Sequence, residues 1–291
     1  MSNSAAPLKA GDLVSVVAAS SAYDDLKPLE AGLDLLHSWG LLTQAGSIPV
    51  RRWGYLAGTD QERLSDLHHQ PSPALLACAR GGWGAARLLE NPIQWSPGWL
   101  LGFSDVTALL LARQSAGIDG GIHGPLLSTL AAEPGWSQER LRALLFGEPL
   151  EDLPGKPWVK GVAEGPLIAA NLTVASHLLG SSHMPDLTGA ILILEDVGEL
   201  PYRLDRMLTH WRLTRTLQRL GGIGFGRFSA CEDDDQRPGF TWMEVLKERT
   251  GDLRIPVVGD LPVGHGPEGN AALPMGRRAL LDGDHGRLRL L

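Results

Sequence analysis

Serine, histidine and a carboxylate can together cleave an acyl bond, and this chain carries each of them where a hydrophobic segment gives way to a loop. Ser104 lies in WLLGFSDVTALLLA (99–112), at the seam between the apolar stretch 99–103 and a run in which Val106, Leu109, Leu110 and Ala112 recur at helical spacing. Gly102-Phe103-Ser104-Asp105 shares the first half of the Gly-x-Ser-x-Gly nucleophile elbow and lacks its last glycine. Serine and aspartate at a helix start also serve as N-caps, the commoner role on local grounds, so the seam alone leaves both roles open.

A serine nucleophile needs a base, and the chain has nine histidines. His68 and His69 fall at a polar helix end, His37, His177 and His210 within helical segments, and His285 in a hairpin turn; these read as surface or packing residues. Two of the others are candidates. His123 follows an apolar stretch close to Ser104 in sequence, and His265 sits between glycines in LPVGHGPEGN (261–270). For the carboxylate, Glu195 ends the buried run GAILILE (189–195), while Asp196 and Glu199 read as solvated or capping neighbours. No cluster of His, Asp or Glu has metal-ligand spacing.

The turn Arg80-Gly81-Gly82-Trp83-Gly84 admits three readings. It is a tight turn, an oxyanion hole in which backbone N–H groups approach a developing negative charge, or part of a dinucleotide fingerprint. Arg87 stands where that fingerprint expects glycine or alanine, and the first strand offers only AASSAYD (18–24), so a Rossmann cofactor is disfavoured.

Positioning these residues falls to an alternation of strands and helices. DLVSVVAAS (12–20) reads as a strand buried on both faces, LKPLEAGLDLLHSWG (26–40) as an amphipathic helix stopped by Gly40, and Thr59 with Glu62 as a capping box. ALLACA (74–79), WLLGF (99–103) and GIHG (121–124) continue the strand series, which makes a parallel α/β sheet. Ligands bind at the carboxyl ends of such strands, where Ser20-Ser21, the 80–84 turn, Ser104-Asp105 and His123 all fall. Proline, glycine and acid accumulate over 131–165 around one short helix at 137–147, a composition that reads as a linker. The expected organisation is an N-terminal parallel-sheet α/β domain (1–130), that linker, and a smaller β-rich α/β domain (166–291). The second domain holds GAILILE, a helix running from 202 to Gly221 and a C-terminal hairpin.

Composition narrows the partners. A net charge of -7 without basic clusters argues against nucleic-acid binding. No stretch approaches the roughly 18 apolar residues of a membrane span, and the N-terminal MSNSAAPLKAGD lacks the apolar core of a secretory signal. Cys78, within ALLACA, reads as a buried reduced thiol, and a cytoplasmic setting is expected.

RGGWGAARLL (80–89), GFSDVTAL (102–109), HGPLLS (123–128), LEDVGELPYRLDRML (194–208) and GHGPEGNAALPMG (264–276) occur in that order. Together they resemble the motifs of the murein LD-carboxypeptidases (muramoyltetrapeptide carboxypeptidases), over about residues 10–283. The resemblance implies a Ser104-Glu195-His265 triad and an oxyanion hole of the Gly82 and Asp105 N–H groups, with Gly81 beside it. It further implies a homodimer, no metal or organic cofactor, and release of the terminal D-alanine from murein tetrapeptides. Arg80, Gly81 and Arg203 are candidates for gripping substrate. Two departures from the family pattern bear on the pocket: Ala169-Ala170 replace two glycines before Asn171, and AASSAYD lacks a proline. Rival expectations are a related amidase that inactivates microcin-type peptide–nucleotide conjugates and a non-catalytic two-domain small-molecule binding protein.

Overall fold

The computed structural model describes residues 5–68, 72–232 and 239–291; His69 lies outside them. The chain divides into two units, Met1–Leu150 with Ala271–Met275, and Glu151–Asn270 with Gly276–Leu291. The first unit is built in chain order from β1 (Leu13–Val17), α1 (Lys27–Ser38), β2 (Leu42–Gln44), α2 (Asp60–Ser65), β3 (Leu75–Cys78), β4 (Trp99–Gly102), α3 (Thr107–Ser115), β5 (Gly121–His123), α4 (Leu127–Leu130) and α5 (Gly135–Phe146). The second begins with β6 (Leu153–Pro154), β7 (Lys156–Val159), β8 (Val162–Asn171), α6 (Leu172–Leu178), β9 (Ile191–Val197), α7 (Pro201–Leu213), β10 (Gly222–Ser229), α8 (Trp242–Thr250) and β11 (Val257–Gly259). The chain then lends β12 (Leu273–Pro274) to the first unit and ends in β13 (Arg278–Asp282) and β14 (Arg287–Leu290) of the second.

The first unit is a six-stranded sheet ordered β12-β5-β4-β3-β1-β2, parallel except for β12. Its strands are apolar runs because both faces are covered: β3 and β4 are buried throughout, and Leu29 and Leu36 of α1 are fully buried against the sheet core. Burial of each such leucine contributes about 1.5–3 kcal/mol. The capping box of Thr59 and Glu62 opens α2 as its sequence spacing requires. From β1 the chain passes outward to β2, then returns to β3 and proceeds the opposite way through β4 and β5, so the direction of winding reverses between β1 and β3. Crevices at such reversals are where open α/β sheets bind ligands. Ser20-Ser21 and the 80–84 turn flank this one, since they follow those two strands.

The second unit is an eight-stranded mixed sheet ordered β6-β14-β13-β8-β9-β10-β11-β7, parallel across β8 to β11 and antiparallel elsewhere. The chain is therefore α/β in two parts, a parallel-sheet part and a β-rich part, as its alternation implies. The stretch 131–165 does not stand apart as a connection: α5 is in the first unit, with Leu141 and Leu145 fully buried, and β6 and β7 are edge strands of the second sheet. Its prolines and acids belong to turns and edges, a composition a true linker shares.

The helix expected from 202 to Gly221 is shorter. It ends at Leu213, where Arg215 adopts φ 60° and Thr216 N–H returns to the Trp211 carbonyl; a separate 3-10 turn, Leu217–Arg219, follows. Leu213 is consequently 77% exposed although it continues the apolar stripe in sequence. Among the described residues no helix is long and apolar enough to cross a membrane.

Candidate active site

Ser104 stands on the turn that joins β4 to α3. Phe103 is extended, Ser104 itself has φ 60°, and a single 3-10 turn (Ser104–Val106) leads into the helix. A left-handed backbone at a residue other than glycine costs about 1–3 kcal/mol and concentrates where function demands a fixed side-chain direction. The capping role fails for both members of the pair: neither the 3-10 turn nor α3 receives a side-chain cap hydrogen bond.

Asp105 works instead across the turn. Only 1% exposed, its Oδ2 accepts from Ser20 Oγ at 2.6 Å and from Ala85 N–H at 2.8 Å. Burial raises its pKa, against the pull of Ser20, the Ala85 and Gly84 N–H groups and Arg63.

The glycine turn lies directly over the serine. A Cβ placed on Gly81 would come 3.1 Å from both Cβ and Oγ of Ser104, a tighter contact than side chains ordinarily make. Gly82, at φ 112°, leaves no room for a side chain, since its Cβ would lie 2.3 Å from Ser21 Oγ. The Gly81 carbonyl accepts from Ser21 N–H (3.4 Å); because C=O and N–H of a trans peptide point oppositely, the Gly82 N–H is directed away from Ser21. Arg80 is half-buried, donating Nη1 to the Ala22 carbonyl at 2.6 Å with its guanidinium 5.7 Å from the Tyr23 ring centre.

His123 is fully buried in β5, in register with Gly102 of β4, and meets the Phe103 ring edge-on at 5.8 Å. An imidazole so enclosed packs against the elbow's base.

In the second unit the structure brings Glu195 and His265 together. Glu195, 1% exposed, accepts on Oε2 from His265 Nδ1 at 2.7 Å. That bond fixes the neutral ring with its proton on Nδ1 and its lone pair on Nε2. Burial works against the imidazolium, but the hydrogen bond and charge of Glu195, with Asp196 beyond, outweigh it and hold the His265 pKa above its ordinary value. The ring keeps 24% of its side chain exposed, which a proton-transfer group requires.

The strand under Glu195 runs two residues past its apolar end, to Val197. Asp196 therefore points to the opposite face, where it is 2% exposed rather than solvated. It accepts from Thr173 N–H (2.9 Å), Thr173 Oγ1 (2.8 Å) and Asn171 Nδ2 (3.1 Å), tying the start of α6 to β9. Burial, then repulsion from Glu195, pushes its pKa up to about 6.

The His265 loop is pinned by groups that sequence spacing does not reveal. Asn270 Oδ1 accepts from Gly264 N–H at 2.8 Å, Arg227 donates to the carbonyls of His265 (3.1 Å) and Gly264 (3.2 Å), and Ser229 Oγ reaches the His265 carbonyl at 2.5 Å. Only Asn270 lies near His265 in sequence; Arg227 and Ser229 sit on β10, beside β9 in the sheet. Arg203 is exposed on the first turn of α7, near Tyr202 (3.1 Å) and Glu199 (3.5 Å).

Thus Gly81, Gly82, Ser104 and Asp105 form one group in the first unit, and Glu195 with His265 another in the second, each held by a dense hydrogen-bond frame. An imidazole backed by a buried carboxylate has the chemistry of a general base, and a strained serine beside a glycine turn has that of a nucleophile with backbone donors near it.

Comparison with known proteins identifies the family of the chain. Residues 14–124 match the LD-carboxypeptidase N-terminal domain and residues 164–281 the LD-carboxypeptidase C-terminal domain. A Synechocystis sp. protein named as a carboxypeptidase is 49% identical over 292 residues, covering 98% of this chain and 96% of that protein. The murein tetrapeptide carboxypeptidase of Pseudomonas aeruginosa is 36% identical over 308 residues, covering 96% and 95%. The crystal structure of muramoyltetrapeptide carboxypeptidase from Oxalobacter formigenes superposes with a TM-score of 0.84 at 26% identity, covering 96% of this chain and 97% of that one. The microcin C7 self-immunity protein MccF of Escherichia coli is more distant, at 24% identity over 326 residues covering 97% and 93%. The chain belongs to the LD-carboxypeptidase family of serine-type hydrolases and carries both of the family's domains.

Proposed function

We propose that this protein hydrolyses the L,D peptide bond of murein tetrapeptides and releases the terminal D-alanine. The observation that carries the reading is the 2.7 Å contact of His265 Nδ1 with the buried Glu195, a base prepared for a hydroxyl nucleophile. Ser104 Oγ attacks the scissile carbonyl carbon and passes its proton to His265 Nε2. The oxyanion is met by the N–H groups of Gly82 and Asp105, each worth about a factor of 100 to 1,000 in turnover. Collapse expels D-alanine, whose amine takes the proton from His265. Water, deprotonated by the same imidazole, then cleaves the Ser104 ester and returns the hydroxyl. Glu195 stabilises the imidazolium in both half-reactions. Arg80, adjacent in the chain to Gly81-Gly82, supplies positive charge for the substrate's terminal carboxylate.

The choice of substrate is supported by the similarity to the murein tetrapeptide carboxypeptidase of Pseudomonas aeruginosa, at 36% identity over nearly the whole chain. A second reading rests on the similarity to the MccF immunity protein, which is solved in complex with glutamyl sulfamoyl guanosine and aspartyl sulfamoyl adenosine, and uses the same residues to cleave such an aminoacyl sulfamoyl nucleoside. Incubating the purified protein with a murein tetrapeptide and, separately, with glutamyl sulfamoyl adenosine distinguishes them by mass spectrometry. Free D-alanine and tripeptide, with slow or absent cleavage of the conjugate, are expected. Efficient cleavage of the conjugate without D-alanine release would overturn the murein reading.

A further inference from the structure

Three separate segments meet at one buried carboxylate beneath the nucleophile turn: the loop after β1, the glycine turn after β3, and Asp105 itself after β4. The bonding has a regular division. Asp105 Oδ2 takes the Ser20 hydroxyl (2.6 Å) and the Ala85 N–H (2.8 Å). Arg63, fully buried on α2, takes the neighbouring carbonyls, contacting Ala19 O and reaching Gly84 O at 2.8 Å. Residues 19–20 on one loop and 84–85 on the other are thus each held twice, once by an anion and once by a cation. Ser21 closes the frame by accepting from Trp83 N–H at 3.1 Å.

A helix cap would need none of this. Asp105 lies one residue from Ser104, yet its carboxylate bonds nothing in its own turn and reaches 20 residues back to Ala85 and 85 back to Ser20. Both partners adjoin groups that the reaction needs in register, since Gly82 precedes Ala85 by three residues on a turn so near Ser104 that a Cβ added at Gly81 would lie 3.1 Å from its Oγ. Burying a carboxylate costs several kcal/mol unless it is hydrogen-bonded and compensated, so its retention here calls for a task.

We propose that the Asp105 carboxylate is a positioning residue of the site: it fixes the glycine turn over Ser104, so that the backbone N–H donors are already aimed when the oxyanion forms. Arg63 shares the task from the opposite side. The inference rests on Ser104 being the nucleophile. Donors displaced by about 1 Å lose up to about 100-fold in rate, whereas ground-state substrate binding depends little on them.

The test compares Asp105→Asn and the milder Ser20→Ala with wild type and Ser104→Ala for D-alanine release, phosphonate labelling of Ser104 and thermal unfolding. Asp105→Asn should lower kcat about 10- to 100-fold with KM within about twofold, and slow phosphonylation in the same proportion. Ser20→Ala should lower kcat by a smaller factor at wild-type Tm, and the double variant should be no worse than Asp105→Asn, because both act through one contact. Asp105→Glu, whose longer side chain cannot seat the same carboxylate, should not restore the rate. Wild-type kcat in a folded Asp105→Asn or Ser20→Ala protein would overturn the proposal, as would losses in the two that simply multiply. Retained D-alanine release by Ser104→Ala would instead overturn the nucleophile assignment beneath it.

Discussion

At the scale of single residues, the pH response follows from His265. As the proposed base it must be neutral, and Glu195 holds its pKa above the ordinary imidazole value despite burial. Activity should therefore be lost on acidification at a pH higher than a free histidine would give. Glu195→Gln removes the charge and leaves burial to dominate, so the acid limb of kcat/KM should move to lower pH while kcat falls by about 100-fold or more. An unmoved limb would disconnect Glu195 from the base. Sequence patterning exposed the residue types well, because Glu195 closes an apolar strand and His265 needs a glycine-flanked loop. It did not expose the reach of the Asp105 carboxylate, since its partners Ser20 and Ala85 lie far away in sequence and are brought to it only on folding.

At the scale of elements, strands were the most legible feature. The apolar runs at 12–20, 74–79 and 189–195 contain β1, β3 and most of β9, because strands covered on both faces tolerate little else. The helix after residue 201 was overextended, as periodicity cannot register the break at Arg215. The support of the His265 loop was also hidden, because Arg227 and Ser229 belong to a strand that is its neighbour only in space. Gly264 tests that support directly. Its φ of 106° excludes ordinary side chains, and a Cβ there would lie 2.7 Å from Glu195 Cβ and 2.9 Å from its Oε2. Gly264→Ala should displace the carboxylate, lower kcat by about 10- to 100-fold and cost about 1–3 kcal/mol of stability, read from steady-state kinetics and thermal unfolding. A variant with wild-type kcat would show that the Glu195–His265 contact is not limiting.

At the scale of the whole molecule, the sequence conveyed an α/β chain in two parts but not how the parts are stitched. The chain completes most of the second unit, gives β12 to the edge of the first beside β5, and returns for β13 and β14. Two residues of strand carry no pattern of their own, so this exchange is invisible until Leu273 pairs with His123. The central proposal is that Ser104, Glu195 and His265 serve one reaction. The most direct measurement is labelling of the intact protein by a serine-directed phosphonate, mapped by peptide mass spectrometry, with D-alanine release followed in parallel. The account predicts one label per chain on Ser104, activity lost in step with labelling, no label in Ser104→Ala, and turnover by that variant reduced by about 10⁴-fold or more. His265→Ala should leave the hydroxyl present but slow to react. A label on another residue, or wild-type turnover by Ser104→Ala, would contradict it.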